Sequence, residues 1–406
     1  MIRITQLIHG RGTVSQVIKS RDISPREMPS KLLAFTQLHK PLVFWNITNR
    51  CNLSCRQCYL NAGSKAQRKE ELPLEEAKAF LDDLAEMDIP LLMFSGGEPL
   101  LRTDFWDLAA YAKANQIKTA LSSNGTLITR RVAEKIKEAG IEYVGISLDG
   151  SNEKTHDTIR GQPGSFNRSV KALKNCVKKE LKCGVRVTAT RDNYHEIPDL
   201  LDLAIQLNVP RFCLYWLVPS GRGKSLFDDK NLKTSEVLQI LKVLYTRAKE
   251  LDPKKIEILT VDAPQDGIYI LNRLQEENLP QYEDALKLLQ FTGDSCSAGK
   301  RIANVDPSGD IYVCQFAQLP QLRVGNIRQQ KFSEIWEADT NPILSAFRNK
   351  VKNLKGKCGK CAYKQLCGGG CRIRAYFQHG DLWAEDPLCP YNCVRTLPDE
   401  VCKDKG

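Results

Sequence analysis

From residue 41 onward, short apolar runs alternate with stretches whose apolar residues recur at helical spacing. Residues 42–47 read as a strand, and 73–87 after them put Ala77, Phe80, Leu81 and Leu84 on one helical face. The alternation continues with strands over 91–94, 118–121, 143–148, 185–189 and 212–217. Helices are predicted between and after them, over 105–114, 131–139, 169–179, 198–207 and 235–249. Six strand–helix units of similar length predict a parallel sheet with right-handed crossovers. The pattern admits an open doubly wound sheet or a partial barrel. In either, functional residues belong at the C-terminal ends of the strands.

Outside 41–250 the pattern changes. Residues 1–40 form an N-terminal leader with weak periodicity, and 251–290 read as a bridging segment with helical content. Residues 291–395 are rich in cysteine and turns, as expected where metal clusters stand in for a hydrophobic core, and 396–406 form a charged tail. A chain of 406 residues exceeds one ordinary core, which suits a division of this kind.

Composition adds three points. No apolar run reaches the roughly 18 residues that span a bilayer, and the first residues lack a signal-peptide pattern, so a cytoplasmic, non-membrane protein is expected. In that setting fifteen cysteines read as metal ligands or redox groups rather than disulfides. The net charge of +11 fits either a solvated basic surface or an anionic partner: nucleic acid, a polycarboxylate or an acidic electron carrier.

The first cysteines, Cys51, Cys55 and Cys58, follow the first strand at C-x3-C-x2-C spacing, with Tyr59 next. Three thiolates on one tight loop can hold three irons of a [4Fe–4S] cluster and leave the fourth iron open to a small molecule. A structural zinc would want four ligands, and no fourth Cys or His lies nearby in sequence. The second strand ends in Ser95, Gly96, Gly97, Glu98 and Pro99. Paired glycines let a ligand approach the backbone, and Glu98 could place a carboxylate near a ligand's amino group. A simple turn is the plainer alternative.

Together these residues resemble the signature of the radical S-adenosylmethionine (SAM) enzymes and that family's methionine-binding segment. The resemblance covers about residues 40–250. It implies a partial (β/α)6 barrel and a [4Fe–4S] cluster whose open iron is chelated by SAM. It also implies one-electron cleavage of SAM to a 5′-deoxyadenosyl radical that removes a substrate hydrogen. Cofactor contacts are expected at Tyr59, Gly96, Gly97, Glu98, Ser123, Asn124, Ser147 and Arg160. Hydroxyls at Ser123 and Ser147 would bind ribose or carboxylate oxygens, and Arg160 the methionine carboxylate. Each of these also has a plain reading as a turn or strand cap. His156 and His195 are proton-donor candidates by chemistry alone.

The C-terminal cysteines run Cys296-x12-Gly309-x4-Cys314, then Cys358-x2-Cys361-x5-Cys367-x3-Cys371, then Cys389. This resembles the seven-cysteine SPASM pattern of radical SAM maturases, with its auxiliary iron–sulfur clusters. The resemblance assigns Cys358, Cys361, Cys367 and Cys389 to one complete auxiliary cluster, and Cys296, Cys314 and Cys371 to a second. The second has no obvious fourth cysteine; it could keep an open iron, borrow Cys393 or be absent. A zinc-ribbon module binding nucleic acid is the alternative. Cys176, Cys183 and Cys213 read as small core residues, and Cys402 as incidental in the tail.

A narrower resemblance lies in residues 40–48, 215–223 and 380–387, which are similar to the tetrapyrrole-modifying radical SAM enzymes of haem and haem d1 biosynthesis. It implies removal or oxidative decarboxylation of acetate or propionate side chains on a sirohaem-derived iron tetrapyrrole. A low-potential electron donor such as ferredoxin or flavodoxin would be a partner, and no nucleic acid is expected. Arg222 would then pair with a propionate or simply brace a Gly-rich turn. The rival reading is a SPASM maturase acting on a ribosomal peptide, although residues 1–40 look too short for a peptide-binding winged helix. A distant alternative is a non-catalytic metal-cluster protein that binds nucleic acid.

Overall fold

The computed structural model describes residues 1–10, 40–63, 70–292 and 296–391. Apolar runs rich in β-branched and aromatic residues form seven parallel strands: β1 (Leu42–Asn46), β2 (Leu92–Ser95), β3 (Thr119–Ser123), β4 (Ile141–Ser147), β5 (Cys183–Ala189), β6 (Arg211–Trp216) and β7 (Glu257–Val261). Each pairs with the next in chain order. A doubly wound sheet would reverse direction at a switch point, and this one does not. The helices therefore cover one face, and the sheet curls as a partial barrel.

Side-chain alternation separates the two faces. Phe94, Leu121, Val144, Ile146, Val185, Val187, Phe212 and Leu214 are buried in the core shared with the helices. Their neighbours in sequence, Ser122, Tyr143, Ser147, Arg186, Thr188 and Tyr215, stay half-buried. They face the concave side, where their partial exposure leaves an open lumen.

The crossover helices follow from local chemistry. In α4 (Arg130–Glu138) the Thr129 hydroxyl accepts from the Val132 amide at 3.3 Å, while Ala133 and Ile136 face the core. The α5 helix (Glu153–Arg160) is capped by Asn152 and stops at Gly161, whose φ is 66°. The other crossovers are α2 (Leu74–Glu86), α3 (Phe105–Ala114), α6 (Ser165–Lys178), α7 (Ile197–Gln206) and α8 (Thr234–Glu250). At the far edge the short helix α1 (Ile4–His9) covers β7: Ile2 bridges Thr260, and the Thr5 hydroxyl accepts from the Ile258 amide at 2.9 Å.

The structure departs from the sequence pattern in two places. Strand β7 lies in the segment read as a helical bridge; Glu257 and Thr260 interrupt its apolar run, which hides the strand from a periodicity argument. The cysteine-rich region also joins the barrel's own sheet. Its β8 (Ile302–Val305) pairs in parallel with β1, followed by antiparallel β9 (Asp310–Tyr312) and β10 (Arg323–Asn326), giving ten strands in one sheet. Strands of three or four residues are too short to show a period. No helix among the described residues is long and apolar enough to cross a membrane.

A second tie holds the cysteine-rich region to the opposite edge of the barrel. Arg374, on α9 (Arg372–His379), is fully enclosed with Asp386, both side chains at 0% exposure. Arg374 donates to both Asp386 oxygens, at 3.0 and 2.9 Å, and also to the carbonyls of Leu217 after β6 and Asp262 after β7. Asp386 accepts in turn from the Cys371 amide at 2.7 Å and the Leu388 amide at 3.1 Å. Burial opposes the charge on Asp386, but Arg374 outweighs it and holds the carboxyl below its ordinary range.

Arg374→Met strands Asp386 as an unpaired buried charge, an error worth about 3–5 kcal/mol. Thermal unfolding followed by circular dichroism should show a clear drop in midpoint. Adding Asp386→Asn should recover part of it, because the stranded charge is gone. A midpoint for Arg374→Met equal to that of the parent would contradict the role given to the pair.

Candidate active site

The ladder between β1 and β2 runs on past both strands. Ile47 N–H donates to Ser95 O at 3.0 Å, Gly97 N–H to Thr48 O at 2.7 Å and Glu98 N–H to Arg50 O at 2.8 Å. A Cβ on Gly96 would stand 2.4 Å from Thr48 O, and one on Gly97 2.1 Å from Arg50 O. Glycine is required here because two strand exits of the chain itself lie so close. The side a Cβ would take is filled by the backbone that delivers the cysteine loop, while both glycines stay half-buried.

Glu98 is fully buried. One oxygen accepts from the Ser123 hydroxyl at 2.9 Å, the other from the Asn124 amide at 2.8 Å. Burial pushes its carboxyl up to about 7 despite these donors. The geometry gives Glu98 and Ser123 to each other, tying the end of β3 to the end of β2. Asn124 extends onward, donating to the Asn52 side chain at 2.9 Å and lying 3.9 Å from Cys51 Sγ.

The cysteine loop rests on the C-terminal end of α5: Ser54 N–H donates to Arg160 O at 3.3 Å, and Arg56 N–H to Ile159 O at 3.0 Å. Arg160 itself turns back under the loop. Its guanidinium donates to Cys55 Sγ at 3.5 Å and pairs with Asp149 at 2.5 Å. Asp149, fully buried, also accepts from Gln57 at 2.6 Å and from the Thr188 amide at 2.8 Å. Burial works against the charge of Arg160, yet Asp149 and Cys55 hold the guanidinium above its ordinary range. So Arg160, expected at a ligand carboxylate, already has an internal one.

The loop after β6 closes over the cysteines from the other side. Arg222 donates to Cys55 O at 2.8 Å and Ser220 to Tyr59 O at 3.3 Å. Gly221 has φ 54°, and a Cβ there would meet Cys58 O at 2.5 Å. Of the two readings offered for Arg222, this geometry is that of the brace. The Tyr59 hydroxyl sits between Asn46 at 3.0 Å and Ser95 at 3.1 Å. Ser147 stands half-buried at the mouth of the lumen.

Cys51, Cys55 and Cys58 thus lie close together: Cys55 and Cys58 raise the proton affinity of Cys51, and Cys58 that of Cys55. Burial pushes the Cys51 thiol up to about 12 and raises Cys55 as well, the latter against the pull of Arg160. Thiolates here need positive charge beside them, and cluster irons supply it. Among the described residues no three Cys, His, Asp or Glu side chains are set for a single metal ion. A [4Fe–4S] cube spreads its thiolates over separate irons, which is a looser demand.

The C-terminal thiols fall into two sets. Cys358, Cys361, Cys367 and Cys389 line one cavity, together with Lys357, Tyr363 and Tyr391. Cys314 lies by Cys371 and Cys296, and its thiol is pushed well up, first by burial and then by those two neighbours. Asp386 abuts both sets through the Cys371 and Cys389 backbones. Cys393 and Cys402 lie outside the described residues. Cys176, Cys183 and Cys213 are buried in the barrel layers.

His156 is a correction. Its ring Nδ1 accepts from the Asp149 amide at 3.1 Å, and burial lowers it to about 3, so it is a neutral structural acceptor and no proton donor at pH 7. His195 is 62% exposed beside Glu196. Sequence reasoning missed Asp149, the residue that organises Arg160, although it stands two positions beyond Ser147 in the same strand exit.

Comparison with known proteins agrees with this geometry. The radical SAM superfamily profile matches residues 45–204, and that of the SPASM iron–sulfur cluster-binding domain matches 296–362. The chain is 37% identical to the Fe-coproporphyrin III synthase of Methanosarcina barkeri, over 96% of this chain and 97% of that protein. It is 36% identical to the pre-heme d1 synthase of Dinoroseobacter shibae, over 88% of each. Among solved structures, Streptococcus suis SuiB bound to S-adenosylmethionine superposes with a TM-score of 0.68 at 19% identity, covering 89% of this chain and 80% of SuiB.

The two thiol regions should be separable by substitution. Cys55→Ala is expected to abolish SAM cleavage to 5′-deoxyadenosine. Cys361→Ser should lower bound iron yet leave some cleavage. Full cleavage by Cys55→Ala, or unchanged iron in Cys361→Ser, would contradict the assignment of the loops.

Proposed function

The chain belongs to the radical SAM superfamily and carries its SPASM iron–sulfur domain, and on that premise we propose that it modifies a carboxylated iron tetrapyrrole. The reaction removes or oxidatively decarboxylates acetate or propionate side chains of a sirohaem-derived macrocycle, on a route to haem or haem d1. The observation that carries this reading is likeness over nearly the full length, at 37% identity, to an enzyme named for an iron porphyrin. A basic chain of net charge +11 also suits a polycarboxylate.

When bound, the reduced cluster and SAM together supply a 5′-deoxyadenosyl radical that takes a hydrogen atom from the substrate. Cys51, Cys55 and Cys58 would hold that cluster. The chain's other residues position and enclose. Asp149 orients Arg160, whose guanidinium donates to the Cys55 sulfur and favours its anionic form. Asn46, Ser95 and Tyr59 fix the far end of the loop. Arg222 and Ser220 hold its backbone from the β6 side. Deeper in the barrel the Arg211–Glu257 pair, with Tyr143 stacked under Arg211 at 4.9 Å, fills the floor and limits water from below. Cys358, Cys361, Cys367 and Cys389 would hold a complete auxiliary cluster; Cys296, Cys314 and Cys371 a second. A low-potential donor of the ferredoxin or flavodoxin kind would deliver the electrons. Clusters of this type favour a reducing compartment such as the cytoplasm.

The test is anaerobic. Reconstituted protein, SAM and a strong reductant are incubated with and without sirohaem-derived iron tetrapyrroles, and 5′-deoxyadenosine is quantified. Tetrapyrrole should stimulate its formation, and the macrocycle should lose carboxyl mass. Slow cleavage indifferent to tetrapyrrole would contradict the substrate and favour a peptide.

A further inference from the structure

We propose that Arg186 is the anchor for one carboxylate arm of the macrocycle inside the barrel lumen, an inference that rests on the tetrapyrrole reading above. Arg186 is on β5, in register with Ser147 of β4 and Cys213 of β6. Its side chain reaches four other strands. One terminal nitrogen donates to the Ser122 hydroxyl on β3 at 2.8 Å, and the other lies 3.8 Å from the Met93 sulfur on β2. The guanidinium also stands over the rings of Tyr143 on β4 and Tyr215 on β6, at 5.8 and 6.0 Å. Adjacent strands are about 4.8 Å apart, so a β5 side chain can meet β2 only across the concave face. A Cβ at Gly145 would stand 2.1 Å from Arg186 Nε; glycine there clears the path of the side chain across the lumen.

The charge of this group is the reason to assign it a ligand. Several other arginines withdrawn into the barrel and its rim have carboxylates: Arg102 with Asp104, Arg160 with Asp149, Arg211 with Glu257 and Arg374 with Asp386; Arg222 and Arg372 donate to backbone carbonyls instead. Among the described residues Arg186 has none. It is held by a hydroxyl, a thioether and two ring faces, which orient the cation without neutralising it. Its Nε has no hydrogen-bond acceptor. A cation withdrawn from bulk water and left unpaired is costly to fold unless something pairs with it in use. It remains half-buried, so part of its surface is open to the lumen.

The position selects the class of ligand. Arg186 stands level with Ser147 at the mouth of the lumen, two residues before Thr188 on its own strand. From a macrocycle lying over the mouth, an acetate or propionate arm could turn inward to the guanidinium. An arginine fork suits a carboxylate through paired N–H donors. SAM also carries a carboxylate, so the test must tell the two sources apart.

Fe-coproporphyrin III and its methyl ester are titrated by absorbance, and SAM by equilibrium dialysis, into cluster-loaded parent, Arg186→Gln and Arg186→Lys proteins. Arg186→Gln should weaken binding of the free acid roughly tenfold or more while changing ester affinity little. Arg186→Lys keeps the charge but not the fork, and should lose affinity for the acid several-fold; it also serves if the glutamine variant does not fold. Equal loss for acid and ester would overturn the proposal, since it would mean a packing role. So would loss confined to SAM, or acid affinity unchanged in both variants. Failure of the parent to bind either porphyrin would remove the tetrapyrrole reading, and this proposal with it.

Discussion

The enclosed ion pair of Arg374 and Asp386 is the constraint on which the arrangement of the two halves depends. Breaking a backbone ladder at the β6 and β7 exits leaves carbonyls at Leu217 and Asp262 that need donors. Arg374 supplies them from the cysteine-rich region, and Asp386 balances its charge. The same carboxylate then accepts from the Cys371 and Leu388 amides, and the Asp386 carbonyl from the Cys389 amide. One pair thereby sets the barrel edge and both auxiliary thiol sets relative to one another. At the opposite edge β8 adds to β1 by an ordinary parallel ladder, so the C-terminal region grips the barrel at both sides.

A single electrostatic rule runs through the rest of the chain. Buried charge is tolerated where it is paired, and each pair is placed where two elements must be held in register. Arg160 and Asp149 join the cysteine loop to the β4 exit, and Arg211 and Glu257 join β6 to β7 at the barrel floor. Glu98 reaches the same end by another route: its proton affinity rises, and three donors fix it between strand exits. Against that background Arg186, held on the concave face without a carboxylate, is a departure.

Much of this was legible in the sequence. Long periodic segments gave six strands and their helices, because burial on one face imposes a period that survives in the residue pattern. The three-cysteine loop and the glycine pair were legible because their spacing is local. What local spacing could not reveal was direction. The sequence showed Glu98, Ser123 and Arg160 as polar residues at strand exits, but whether they turn to a ligand or to each other depends on contacts 25 or more residues apart, such as Ser123 to Glu98 and Arg160 to Cys55. Strands β7 to β10 were hidden for a different reason. They are short, or interrupted by polar residues that find partners across the sheet, so no window carries their period.

The central claim is that this barrel directs a radical onto the side chain of a carboxylated macrocycle. The most direct measurement is isotope transfer. An iron tetrapyrrole deuterated on the methylene carbons of its acetate and propionate arms is turned over anaerobically, and the 5′-deoxyadenosine formed is analysed by mass spectrometry. The account predicts that deuterium from an arm appears in 5′-deoxyadenosine in step with loss of carboxyl mass from the macrocycle. Unlabelled 5′-deoxyadenosine accompanying a macrocycle that keeps both its carboxyls and its deuterium would contradict it.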